Sequence, residues 1–78
     1  EELFSSEAQR LINEALETLP EKTRTIFIMS RYENKTHKEI AARLELSTKS
    51  VEFHITKALN VLRKRLKDYL PFFFIFLN

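Results

Sequence analysis

With 78 residues, no Cys, no Gly and only two Pro, the chain excludes a disulfide scaffold, a thiolate metal site and a Gly-rich phosphate loop. It is near the size at which one apolar core just holds, and its Leu, Glu, Lys, Arg and Ala predict an all-α fold with tight connections. The net charge of +2 is unevenly spread, with six Glu against one Arg in residues 1–21, then seven Lys/Arg against three Glu in 22–49 and five against two acids in 50–78.

In the first predicted helix, Ala8, Leu11, Ile12, Ala15, Leu16 and Leu19 recur at three- and four-residue steps and make one apolar stripe. Ser5 or Ser6 suits its N-cap. Pro20 ends it, because the proline ring disfavours helical geometry at the preceding residue. Pro20 also suits the first turn of a second helix, with Glu21 at the positive end of the helix dipole. The run Ile26-Phe27-Ile28-Met29 is apolar almost all round, which predicts a central helix contacted on several sides. That helix should end near Tyr32, with Glu33-Asn34-Lys35 as the connection and Asn34 left-handed.

Thr36 then opens a short third helix through a capping box with Glu39. Ile40, Ala41 and Leu44 form its buried face. Glu45-Leu46-Ser47 break the pattern, and Ser47 suits the N-cap of a fourth helix carrying Val51, Ile55, Ala58, Leu59, Leu62 and Leu66 at helical spacing, with Tyr69 or Leu70 next. A short helix, a three-residue turn and a long helix are helix-turn-helix spacing. The motif runs from about Thr36 to Leu66. Ala41 is small where the two helices cross, Leu46 plugs the turn, and Val51 and Ile55 lock against Ile40 and Leu44.

Those core positions leave Thr48, Lys49, Glu52, Phe53 and Thr56 on the outward face of the fourth helix. Lys49 suits guanine acceptors, Glu52 a cytosine amino group and Phe53 a thymine methyl. Lys38, Arg43, Ser47, Thr56 and Lys57 surround this face as candidate phosphate contacts. The acidic start and basic remainder suit one-sided contact with a polyanion. His37 and His54 lack metal-ligand spacing and read as capping, phosphate-contacting or packing residues. No nucleophile–base–orienter set is visible, so neither an enzyme, a cofactor, a metal nor a small-molecule substrate is expected.

From Leu19-Pro20-Glu21 and Arg24, through Ile26, Lys38-Glu39-Ile40-Ala41, Leu44, Leu46-Ser47, Ser50-Val51 and Ile55, to Lys57-Ala58-Leu59, Leu62-Arg63 and Leu66, the chain resembles region 4 of bacterial sigma-70-type initiation factors. The likeness is greatest to the extracytoplasmic-function group and covers roughly Ser6 to Leu70. It implies a four-helix domain with a C-terminal helix-turn-helix and no wing, reading the −35 element of promoter DNA as part of RNA polymerase holoenzyme. Base contacts would come from Thr48, Lys49, Glu52 and Phe53. The first three helices would hold the flap of the polymerase β subunit, with Phe27, Ile28 and Tyr32 as surplus apolar surface open also to an anti-sigma factor.

Two residues depart from the family pattern. Glu45 stands where the turn usually has Gly, so either it carries about 1 kcal/mol of left-handed strain or the turn is of another type. Glu52 stands where a basic residue is frequent. Two alternatives are a LuxR/NarL-type response-regulator output domain, which shares Lys38-Glu39-Ile40-Ala41 and the Val51, His54 and Ile55 spacing, and a helical protein-interaction adaptor. The adaptor idea rests on the apolar tail 71–78, which is far shorter than the roughly 20 residues of a membrane span and would serve as core cover or for self-association, docking on polymerase or an anti-sigma factor, or contact with a membrane surface. The chain opens on an acidic segment without a signal-peptide pattern. It is expected to be one domain, 1–78, cut from a longer cytoplasmic protein.

Overall fold

A computed structural model describes residues 6–67. Among them are four helices: α1 (Ser6–Glu17), α2 (Glu21–Arg31), α3 (His37–Leu44) and α4 (Thr48–Arg65). Ser6 is the first helical residue of α1, while Ser5, Tyr69, Leu70 and the tail 71–78 lie outside the described residues.

The expected stripe of α1 is buried at Ala8, Ile12, Ala15 and Leu16. On its exposed side Arg10 pairs with Glu7 and Glu14, one turn either way. The two carboxylates raise the guanidinium pKa above its ordinary value, with Glu7 the larger influence. At its end the Thr18 hydroxyl donates to the Ala15 carbonyl at 2.6 Å, and Leu19 turns into the core.

Pro20 is the N-cap of α2, one position earlier than the first-turn site expected, with φ −56° and ψ 150°. Its carbonyl accepts from the Arg24 N–H at 2.9 Å. The position still uses the missing proline N–H well, because nothing N-terminal in the helix would receive it. At the other end, Asn34 is left-handed at φ 56°, as its short polar side chain allows.

The capping box of α3 is complete. The Glu39 N–H donates to the Thr36 hydroxyl at 3.0 Å, and the Thr36 N–H to the Glu39 carboxylate at 2.8 Å. Glu45 ends α3 in the left-handed region at φ 58°, ψ 48°, its N–H bonded to the Ala41 carbonyl. The glycine-like turn geometry is therefore adopted by Glu, at a strain of roughly 1 kcal/mol. The next N–H, of Leu46, also reaches the Ala41 carbonyl at 2.9 Å, and the Leu46 side chain packs partly against the core. Ser47 then caps α4, accepting from the Ser50 N–H at 3.0 Å.

Two apolar clusters hold the helices. Ile12, Ala15, Leu16 and Leu19 meet Phe27 and the second half of α4 at Ala58, Leu62 and Leu66. Ile26 and Met29 meet Ile40 and Ala41 of α3 and the first half of α4 at Val51 and Ile55. Helix α2 thus serves both clusters, as its apolar circumference foretold, and Leu59 touches each. Phe27 is the cost to the sequence reading. It was expected at the surface for a partner, yet it is fully buried, because its side of α2 is covered by α1 and the end of α4.

Candidate nucleic-acid interface

The first half of α4 has one buried and one open face, set by helical periodicity. Val51 and Ile55 are buried, and Thr48, Lys49, Glu52, Phe53 and Thr56 are exposed. Phe53 is 62% exposed, too much for a residue whose purpose is core packing. It is held edge-on against the His54 ring, with centroids 5.4 Å apart and an interplanar angle of 77°. This arrangement presents a rigid apolar edge between polar neighbours.

The N-terminal end of α4 is open, so its orphan backbone donors are available to a phosphate. Ser47 spends its oxygen lone pair on the cap and keeps its hydroxyl proton to donate. Lys38, Arg43 and Lys57 are exposed. Lys38 lies in the first turn of α3 and Lys57 in the third turn of α4. Arg43 lines a hollow with Lys35, Glu39 and Ala42.

Two side chains outside the expected set shape this face. His37 approaches Glu52, the one carboxylate on the exposed face of the first half of α4, with Nδ1 3.7 Å from Oε2. His54 is half-buried, and its Nδ1 is hydrogen-bonded to the hydroxyl of Thr23 at 2.8 Å. Thr23 is the one wholly buried polar residue among those described, and this bond satisfies it. Burial pushes the His54 pKa below the usual histidine range, and the charges of Lys22 and Lys57 push the same way. All three influences favour the neutral ring.

The sequence named His54 as a packing or phosphate-contacting residue but had no partner for it. Thr23 is 31 positions away. The available signal was a hydroxyl residue three positions before Ile26, on the buried side of α2, which must find a hydrogen bond there.

On the opposite part of the fold, Tyr32 is 48% exposed and Ile28 partly buried. Desolvation raises the Tyr32 phenol pKa, and a hydrogen bond with Gln9 of α1 partly offsets it. These two residues, without Phe27, are what remains of the expected apolar contact surface. Among the described residues no group of His, Asp or Glu could hold a metal ion, and no helix is long and apolar enough to cross a membrane.

A family model described as Sigma-70, region 4 matches residues 9–62. That span takes in α2, α3 and their connections whole and most of α1 and α4. No curated protein and no solved structure matches the chain.

Proposed function

Since the chain belongs to the sigma-70 region 4 family, a family of DNA-binding helix-turn-helix domains of transcription factors, we propose that it reads the −35 element of promoters within RNA polymerase holoenzyme. The observation that carries this reading is the outward face of α4. An exposed aromatic residue, a lysine and a carboxylate stand on a helix whose other side is locked in the core. Such a helix meets base edges with its N-terminal end leading.

In this reading Lys49 donates to guanine, Glu52 accepts from a cytosine amino group, and Phe53 packs on a thymine methyl, with Thr48 beside them. Lys38, Arg43, Ser47, Thr56 and Lys57 hold phosphates and set register without reading sequence. Tyr32 and Ile28 offer the apolar contact to the β flap, and an anti-sigma factor of the extracytoplasmic-function kind would compete there. The working compartment is then the cytoplasm, where promoter DNA and polymerase are found.

The test is selection of promoters from a randomised −35 library by holoenzyme. Lys49→Ala and Glu52→Ala should each change which base is preferred at one position, by about 1–3 kcal/mol of discrimination. Arg43→Ala should weaken all promoters alike. Equal effects from the three substitutions would defeat the assignment of the reading face.

A further inference from the structure

Beside the reading face, basic groups from two helices meet without an acidic partner. Lys22 is in the first turn of α2, and His54 and Lys57 are one turn apart on α4. They are brought together by the bond between Thr23, next to Lys22, and His54 Nδ1. When the Thr23 hydroxyl donates to Nδ1, the single N–H of the neutral ring lies at Nε2. Nε2 has no hydrogen-bond partner among the described residues.

Lys22 is next in sequence to the residue that bonds the ring, and Lys57 is one turn beyond His54 on the same helix; the charges of both disfavour the charged ring. Glu21, next to Lys22, lines a hollow with Thr25 and Leu44 and has no part in the shift of His54. Two lysines and an imidazole N–H on adjoining turns of two helices joined by the Thr23–His54 bond are a set of donors suited to a tetrahedral oxyanion.

The placement around α4 says which oxyanion. At about 100° per residue, His54 and Lys57 flank the Lys49–Phe53 row on the side of α2. Glu52 flanks it on the other side, toward His37 of α3. A helix lying in a major groove has a phosphate wall on each side. We propose that Lys22, His54 and Lys57 form a seat for one backbone phosphate of the duplex, on the groove wall opposite the one faced by α3. The proposal rests on the promoter-reading role above and adds Lys22 and His54 to its DNA contacts. Thr23 is the positioning residue, since it touches no phosphate and acts by orienting the ring.

A phosphate in this seat would cancel the repulsion from Lys22 and Lys57 and favour the imidazolium, the added proton going to Nδ1 and the Thr23 hydroxyl turning to accept from it. DNA binding would then take up a proton, and affinity would rise as pH falls from neutrality.

The experiment measures holoenzyme affinity for two duplexes, one selected from the −35 library and one scrambled, over a range of salt. Lys22→Ala and Lys57→Ala should each lower the slope of log affinity against log salt by about 1 on both duplexes, leaving the preference between them intact. His54→Gln should flatten the rise in affinity toward acid pH. If Lys22→Ala leaves the slope unchanged while the wild-type preference persists, the seat is wrong and promoter reading stands, whatever Lys57→Ala does. If wild-type holoenzyme shows no preference, both fall. The 78-residue chain with labelled histidine supplies the last arm. Inorganic phosphate that shifts the His54 ring resonances as strongly as the duplex would make the ligand a free anion and overturn the DNA assignment.

Discussion

His54 and His37 stand on opposite sides of α4 and differ in their surroundings. His54 is half-buried and bonded to a fully buried threonine at 2.8 Å, its neutral form favoured by desolvation and two lysines. His37 is 45% exposed and lies 3.7 Å from a carboxylate that is 60% exposed. A buried polar bond leaves an unsatisfied group if one partner is lost. An exposed pair is readily replaced by water and is worth little to stability. One side of α4 is therefore fixed against α2, while the other carries an exposed carboxylate held by no buried contact.

The largest expected effect breaks the buried side. Thr23→Val keeps the shape of the side chain and removes the hydroxyl, which should cost about 1–3 kcal/mol of folding stability. Urea denaturation measures it. A loss below about 0.5 kcal/mol would mean that the Thr23–His54 bond does not hold the two helices.

The next effect is in pH. The folded-state pKa of His54 is lowered, so between that value and the ordinary one the unfolded chain binds more protons than the folded chain. Stability must then rise with pH across this window, and acidification from about pH 7.5 to about 5.5 should lower the melting temperature. His54→Gln should reduce that dependence. An unchanged pH dependence in the variant would assign it to other groups. This direction is opposite to the one expected for DNA affinity, which separates folding from the phosphate seat.

The smallest effect on stability is on the exposed side. His37→Ala should change folding free energy by less than about 0.5 kcal/mol and yet, on the proposed promoter-reading role, shift base preference at the position assigned to Glu52, because the carboxylate loses its imidazole neighbour. Promoter selection with the variant reads this out. A preference identical to wild type would show that Glu52 is placed by the DNA alone.

Much of the fold was legible because its signals are local. Thr36 and Glu39 are three residues apart, so a capping box is visible in the sequence and is found in the structure. Asn34 and Ser47 likewise act within one turn of their own positions. The exposed face of α4 was legible by subtraction, because helical periodicity assigns Val51 and Ile55 to the core and leaves Lys49, Glu52 and Phe53 outside. Phe27 was misplaced for the complementary reason. A helix that is apolar all round does not reveal which of its sides a neighbour will leave open. Here α1 and the end of α4 close over Phe27, while Tyr32 at the helix end stays accessible.

The helix-turn-helix itself was determined by the sequence, through caps, breaks and apolar spacing that operate over three or four residues. Tertiary structure decided the left-handed Glu45, because a turn this short must dock Leu46 on the core and start α4 at Ser47 whatever residue occupies it. It also decided that Thr23 meets His54 and that Lys22 comes to the side of the reading face. Those contacts depend on how α2 crosses α4. A crossing is set by the fit of many side chains at once, and no short window of sequence contains it.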